Sequence, residues 1–126
     1  MTTSRASQVF LAFSALVWLP YGIYCFLEPG SLAANAGVSA TTVTATVELR
    51  AMYGGLQAAL GLLAFGGLVY GGWRRHALFA LLFLCAGLGS TRLFSAFSAG
   101  DFSEYTVFAL GFELGSTVVA ASLVSR

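Results

Sequence analysis

The clearest pattern in the sequence is an alternation of four long apolar stretches with short polar breaks. The apolar stretches cover residues 8–27, 47–70, 77–97 and 104–124. A helix needs about 20 mostly apolar residues to cross a bilayer, and each stretch has that length. The pattern therefore predicts an all-α fold, an integral membrane four-helix bundle built by a single domain over residues 1–126.

Charged residues at the ends of these stretches predict the orientation of the bundle. Basic residues mark the N-terminus, the second loop and the C-terminus, whereas acidic residues mark the first and third loops: Arg5, Arg74, Arg75 and Arg126 against Glu28, Asp101 and Glu104. Segments rich in arginine stay in the cytoplasm by the positive-inside rule. We therefore expect cytoplasmic N- and C-termini and a multi-pass protein of the cell inner (plasma) membrane.

The first apolar stretch has some features of a secretory signal peptide. Arg5 precedes it, and Ala34-Asn35-Ala36 would fit a cleavage site. However, the run from residue 9 to residue 27 is longer than the apolar core of a signal peptide, which has about 7–15 residues. We interpret it as a retained first span.

Loop 1, from Glu28 to about Thr46, is the one long connection in the predicted bundle. Ser31 is expected to cap a short helix that ends at Gly37. The threonine-rich residues 41–46 predict a helical extension that leads into the second span. Loops of this length are often lids or binding loops, and a plain surface hairpin fits equally well.

Composition supports a membrane protein and limits the chemistry. Hydrophobic residues make up 58% of the chain and charged residues 9%, against about 25% in soluble domains. The net charge of +1 argues against nucleic-acid binding. His76 is the only histidine, and Cys25 and Cys85 lie at different predicted depths. We therefore expect no metal, no cofactor and no disulfide.

Two charges lie far inside the apolar stretches, Arg92 in the third and Glu113 in the fourth. A charge at bilayer depth costs about 2.5–3.5 kcal/mol even on the mildest scale, so it is usually paired and often functional. Depth below the outer end of each predicted span can be counted at about 1.5 Å per residue. On this count Arg92 and Tyr53 lie roughly 7–8 Å deep, and Glu113 and Gln57 lie roughly 14–15 Å deep. We expect Arg92 and Glu113 to form an ion pair between spans 3 and 4.

Other polar and aromatic residues are expected in the same outer half of the bundle. Helical spacing places Trp18 and Tyr21 on one face of span 1, and Tyr53 and Gln57 on one face of span 2. The inner half contains mostly leucine, alanine, phenylalanine and glycine. Glu48 and Arg50, at the outer boundary, are expected to extend the ion pair into a neutral network. The candidate ligand-binding residues are Glu48, Arg50, Tyr53, Gln57, Arg92, Glu113, Trp18 and Tyr21.

Three interpretations of the Arg92–Glu113 pair remain open at this point. The pair can be structural and fix the helix register. Arg92 can bind an anionic headgroup or a carboxylate of a ligand. Glu113 can act as a proton carrier or a general acid/base, which makes it the candidate catalytic residue if the protein is an enzyme.

Small residues at four-residue spacing predict close contacts between helices. They occur as Ala51, Gly55 and Ala59 in span 2, as Gly67 and Gly71 at its inner end, and as Gly111 and Gly115 in span 4. In lipid such patterns allow backbones to approach closely. They predict a tight bundle and a possible homodimer face.

Four features of the sequence connect the chain to a known family. Residues 48–55 match an E-x-R-A-x-Y-G-G signature, and the similarity continues in residues 91–95, in the turn at Gly100-Asp101 and in Glu113. The family usually has glycine directly before the span-3 arginine, where this chain has Thr91, and Asp-Gly where this chain has Gly100-Asp101. On these motifs almost the whole chain resembles the small bacterial membrane family known as domain of unknown function 4345.

The resemblance implies a four-helix, DoxX-like membrane fold and no particular activity. It draws attention to residues that the depth argument reaches independently. These are Glu48, Arg50, Tyr53, Gly54, Gly55, Arg92 and Glu113.

Several functions agree with these features. We favour a binding or accessory protein whose outward-facing intramembrane site holds a lipid, a quinone or another small amphipathic molecule. The alternatives are an intramembrane acid/base enzyme of the isomerase type that uses Glu113, a small transporter subunit, and a purely structural subunit. We expect a protein that is not an enzyme, whose partners are membrane lipid and a second copy or a larger membrane complex.

Overall fold

The computed structural model describes residues 2–126, and within them the chain is helical and contains no strand. Its α-helices are α1 (Thr2–Leu27), α2 (Ser31–Ala36), α3 (Val43–Leu49), α4 (Leu56–Val69), α5 (Arg74–Ala99) and α6 (Glu104–Val124). A π-helical segment, Arg50–Gly55, joins α3 to α4, and a 3-10 turn, Gly71–Trp73, precedes α5.

Four helical stretches are long and apolar enough to cross a membrane: Arg5–Leu27, Val43–Val69, Gly71–Ala99 and Glu104–Val124. We call them spans 1 to 4. The predicted all-α fold with four membrane spans is confirmed, and the protein is a multi-pass membrane protein. Spans 2 and 3 begin earlier than predicted, and their orientation and the single domain remain predictions.

Loop 1 contains the predicted short helix, but its first turn differs from the prediction. Ser31 is the first helical residue rather than the cap, and its hydroxyl donates to the Glu28 carbonyl at 2.7 Å. Gly37 ends the helix in the left-handed region, at φ 68°. The cap of span 2 is Thr42, whose hydroxyl accepts from the Ala45 backbone N–H at 3.0 Å. This cap explains why span 2 begins at Val43.

Spans 1 and 2 pack through glycines other than the predicted ones. A Cβ atom on Gly22 would lie 2.4 Å from the Ala58 backbone nitrogen, and one on Gly61 would lie 2.5 Å from the Leu19 nitrogen. Because those neighbours are backbone atoms, only glycine fits at these crossings. The prediction that Gly55 makes such a contact is wrong, because its nearest neighbour is the carbonyl of Arg50, in its own helix, at 3.8 Å.

The other small-residue patterns have mixed outcomes. Gly67 does pack closely, since a Cβ there would lie 2.8 Å from the Ala77 Cβ atom. Gly71, Gly111 and Gly115 have no heavy atom within 4 Å of the corresponding position. The pattern in span 4 therefore does not hold this bundle together, and a homodimer face remains a prediction.

The apolar core lies in the half of the bundle near loop 2 and the chain termini. It consists of Phe10, Leu11, Ala15, Trp18, Leu60, Ala64, Ala77, Leu78, Leu81, Cys85, Ala120 and Leu123. Small and aliphatic side chains dominate this half, as the sequence predicts. Most of the intramembrane polar side chains gather in the opposite half, next to loops 1 and 3.

Candidate functional site

The centre of the polar half is a bidentate ion pair between spans 3 and 4. Arg92 Nε donates to Glu113 Oε2 at 2.9 Å, and Arg92 Nη2 donates to Glu113 Oε1 at 2.7 Å. Gly89 makes room for this crossing, because a Cβ there would lie 2.9 Å from Leu114 Cδ2 and 3.4 Å from Glu113 Cβ. The predicted pair between the two spans is confirmed.

The two partners differ in their access to the surroundings. The Glu113 side chain is 6% exposed, whereas the Arg92 side chain is 28% exposed. Both carboxylate oxygens of Glu113 accept hydrogen bonds from the guanidinium, in the bidentate arrangement that makes arginine–carboxylate pairs strong. A guanidinium has five N–H donors, and the carboxylate uses two of them here. The remaining donors of Arg92 have no hydrogen-bond partner within residues 2–126.

Arg92 lines a cavity of about 470 Å³ that opens on the surface of span 3. The other polar residues at its wall are Thr91 and Ser95 from α5, together with Asp101 and Thr106 from loop 3 and the start of α6. Thr91 and Ser95 are exposed, and their hydroxyls make no hydrogen bond in the described part of the chain. The apolar part of the wall comes from Gly87, Leu88, Ala96 and Ala99. This wall combines unpaired donors with an apolar track, the composition expected for an amphipathic ligand.

A group of three tyrosines lies near the Arg92 guanidinium. The guanidinium carbon lies 5.8 Å from the centroid of the Tyr105 ring, a cation–π distance. Tyr21 is close enough to interact electrostatically with Tyr105 and Cys25, and Tyr53 is close enough to interact with Arg92 and Tyr105. The cluster therefore takes one aromatic side chain from each of spans 1, 2 and 4 and the arginine from span 3.

Two other predicted residues lie inside the bundle without the expected partners. Trp18 is 6% exposed and stacks on Phe112, with ring centroids 5.6 Å apart. Its Nε1 donor is buried and makes no hydrogen bond, and the same is true of the Gln57 Oε1 acceptor. Neither residue lines the cavity at Arg92. An unpaired buried polar atom costs about 1–3 kcal/mol, so these two atoms weaken the bundle.

Glu48 and Arg50 do not join the Arg92–Glu113 pair, and the prediction of a four-residue charge network is wrong. Arg50 Nε donates to the Phe26 carbonyl at 3.2 Å, and its guanidinium carbon lies 5.8 Å from the Phe26 ring centroid. A cation at the C-terminal end of a helix is stabilised by the helix dipole, and Phe26 is in the last turn of α1. Glu48 is exposed and makes no ion pair within the described chain.

The π-helical segment explains part of this difference. It covers Arg50–Gly55, most of the E-x-R-A-x-Y-G-G motif, and nothing in the local sequence pattern distinguishes it from an α-helix. A π-helical turn adds one residue and so changes the direction of the side chains that follow it. Positions inferred from a regular α-helix are therefore displaced at this level of span 2.

Loop 3 contributes a carboxylate, that of Asp101, to the wall of the cavity. Asp101 Oδ2 accepts from the Thr106 hydroxyl at 2.7 Å, and Asp101 Oδ1 accepts from the Ser103 backbone N–H at 3.1 Å. These hydrogen bonds hold the pKa of Asp101 below its usual range, and the one from Thr106 has the largest effect. The negative charge also lies at the N-terminus of α6, where the helix dipole favours it.

Sequence reasoning missed Tyr105, Thr91 and Ser95 as members of the site. Thr91 and Ser95 are four residues apart in α5 and flank Arg92, so a search for hydroxyls around the buried charge would have found them. Tyr105 carried no comparable signal, because it lies at the end of a span where tyrosine is common in any membrane protein. In residues 2–126 no group of three or more His, Cys, Asp or Glu side chains is placed to hold a metal ion.

The comparisons with known proteins give one family. The family described as a domain of unknown function (DUF4345) matches residues 6–124. No curated protein and no solved structure matches the chain.

Proposed function

The chain belongs to the family of the domain of unknown function (DUF4345), whose description assigns no activity, and we propose that it binds a small amphipathic molecule at Arg92. The polar head of the ligand accepts hydrogen bonds from Arg92, Thr91 and Ser95. Its apolar part follows the track of Leu88 and Ala99 along span 3. A membrane lipid, a quinone or a similar molecule has this chemistry.

The observation that carries the proposal is the set of unpaired donors beside the Arg92–Glu113 pair. A membrane helix that only needed a register contact would have no use for a partly exposed guanidinium flanked by two free hydroxyls. In lipid these donors have no water to bind, so an acceptor brought by a ligand stabilises them. Glu113 balances the arginine charge, and this favours a neutral acceptor, such as a carbonyl, over an additional unpaired anion.

The other predicted functions have less support from this geometry. An acid/base role of Glu113 needs a carboxyl group that can exchange its proton with a substrate, whereas both oxygens are occupied by Arg92. A transporter of the broken-helix type needs two interrupted helices in corresponding positions, and the π-helical segment is one interruption, in span 2. Tyr21, Tyr53 and Tyr105 act in our proposal as a support that holds the guanidinium in place.

The arginines at the opposite end of the bundle support an orientation with this cavity in the outer half of the inner membrane. Binding as an isolated subunit or as part of a homodimer or larger membrane complex is compatible with the cavity, which a lipid or quinone reaches from the bilayer.

The test is native mass spectrometry of the protein after gentle extraction, with a panel of lipids and quinones added to the micelles. We expect a retained molecule, and we expect the near-isosteric pair Thr91→Val with Ser95→Ala to lower its occupancy roughly tenfold, since each lost hydrogen bond is worth about 0.5–1.5 kcal/mol. The matched control is Ser90→Ala, on the same helix, because Ser90 donates to the Gly87 carbonyl and lies outside the cavity wall. Equal occupancy in the double variant and the control would refute the site.

A further inference from the structure

We propose a second binding site, for the phosphate group of an anionic phospholipid, in a cleft at the opposite end of the bundle. The cleft lies between the start of α5 and the end of α6 and has a volume of about 270 Å³. Three arginines line it: Arg74, Arg75 and Arg126. This site does not depend on the proposed ligand at Arg92.

The cleft gathers half of the basic side chains of the protein in one place. The sequence has six basic and five acidic residues. None of the acidic residues lies at this end of the bundle. Four of them lie in loops 1 and 3 or in the ends of the spans next to these loops, and the fifth, Glu113, is paired with Arg92. The charged side chains that line the cleft are therefore all positive, and they attract an anion.

The two helix ends that meet at the cleft, the N-terminal end of α5 and the C-terminal end of α6, carry partial charges of opposite sign. Arg74 and Arg75 occupy the first turn of α5, which contains no acidic residue, and the N-cap residue Trp73 makes no side-chain hydrogen bond to the helix. The N-terminal end of a helix carries a partial positive charge of about half a unit. Because the C-terminal end of α6 offsets this charge, the arginine side chains supply the attraction for an anion.

The chemistry of the side chains favours phosphate among anions. The guanidinium group presents a planar fork of N–H donors that matches two oxygens of a phosphate. Arg75 is further oriented by the Phe79 ring, whose centroid lies 5.6 Å from its guanidinium carbon. Basic pockets between membrane helices are known to bind the headgroups of anionic lipids.

The position of the cleft favours a lipid over a phosphate dissolved in water. Leu78, Leu123 and Val124 form an apolar wall next to the arginines, where the first acyl carbons would lie. Tyr70 and Trp73, with ring centroids 5.8 Å apart, are exposed beside it. Tyrosine and tryptophan concentrate at the level of lipid headgroups, so this aromatic pair sets the cleft at that level.

The experiment is a native mass spectrometry titration with phosphatidylglycerol, phosphatidylcholine and the soluble fragment glycerol 3-phosphate. We expect tight binding of phosphatidylglycerol only. Arg75→Gln combined with Arg126→Gln should weaken the binding of phosphatidylglycerol roughly thirtyfold, because each arginine near an anionic lipid raises the affinity about fivefold. Both side chains are exposed, and an unchanged elution profile and melting temperature show that the variant folds.

Two controls separate the cleft from general electrostatic attraction and from the other site. Arg5→Gln removes an exposed positive charge outside the cleft wall, and Thr91→Val with Ser95→Ala changes only the cavity at Arg92. Arg5→Gln should keep the affinity for phosphatidylglycerol. The Thr91/Ser95 variant should keep the part of the binding that Arg75→Gln with Arg126→Gln removes, even if it loses a lipid held at Arg92. Arg75→Lys with Arg126→Lys keeps the positive charges and should retain more of the affinity than the glutamine pair. If the glutamine variant is unstable, the lysine variant is compared with the natural protein instead, and it should bind phosphatidylglycerol more weakly because it lacks the guanidinium fork.

Three results would overturn the proposal. The first is equal binding of phosphatidylcholine and phosphatidylglycerol. The second is a loss of phosphatidylglycerol affinity in Arg5→Gln as large as that in Arg75→Gln with Arg126→Gln. The third is tight binding of glycerol 3-phosphate that displaces the lipid. The third result would assign the cleft to a soluble phosphate compound.

Discussion

The half of the bundle around Leu81 and the half around Arg92 are built from different side chains. Ala64, Ala77 and Leu81 are completely buried against one another, in the manner of close-packed membrane helices. The other half contains an ion pair, three tyrosines and a cavity of about 470 Å³. The core cluster of the apolar half contains no charged side chain. The polar half is therefore the one in which stability alone does not account for the residues.

The largest effect that distinguishes the two halves is expected from the ion pair. Arg92→Leu leaves the buried carboxylate of Glu113 without a partner, and we expect a loss of about 3–5 kcal/mol in the free energy of unfolding. Glu113→Leu should cost less, because Arg92 is partly exposed and can reach the polar groups of loop 3. The double variant, with leucine at both positions, should recover most of the loss, since hydrophobic replacement of a buried pair is often neutral or favourable. Denaturant titration in mixed micelles measures all three.

The matched control for this comparison is Arg50→Leu, which removes an arginine that contacts a backbone carbonyl and no carboxylate. It should cost far less than Arg92→Leu. If the two single changes at the pair simply add in the double variant, Arg92 and Glu113 are not coupled and the assignment of the pair is wrong.

The next effect concerns the packing between spans 1 and 2. Gly61→Ala places a Cβ atom 2.5 Å from the Leu19 backbone nitrogen, so the two helices must separate, and we expect a loss of about 1–3 kcal/mol. Gly115→Ala is the control, because no heavy atom lies within 4 Å of its Cβ position, and alanine there should be neutral or stabilising by up to about 1 kcal/mol. A similar loss in both variants, in thermal unfolding monitored by circular dichroism, would show that the close crossing at Gly61 does not hold the helices.

The smallest effect is expected from Asp101 at the rim of the polar half. Its hydrogen bonds from Thr106 and Ser103 hold its pKa below the value in the unfolded chain. Its contribution to stability is therefore fully present above the unfolded-state pKa, about 4, and is lost as the pH falls through the lower folded-state pKa. Asp101→Asn should remove this part of the acid sensitivity, whereas Glu28→Gln, in exposed loop 1, should leave it unchanged. Identical melting curves of Asp101→Asn and the natural protein from pH 7 to pH 2.5 would contradict this role.

The sequence was sufficient for the parts of the molecule that the bilayer constrains. The number of spans, the apolar half near loop 2 and the pairing of Arg92 with Glu113 follow from hydrophobic length and from the cost of a lone charge in lipid. The position of Arg50 could not be predicted, because a π-helical turn at the same place changes the direction of the side chains. The glycines that make contact could not be identified either, since Gly61 and Gly115 occur in equally apolar surroundings and differ only in what faces them.

We propose that Glu113 holds Arg92 in place to bind a ligand, and removing both side chains together tests this. The variant with leucine at both Arg92 and Glu113 is compared with the natural protein for stability and for the retained molecule in native mass spectrometry. We expect a folded protein of similar stability that retains no ligand. A folded double variant that keeps the same molecule at the same occupancy would contradict it.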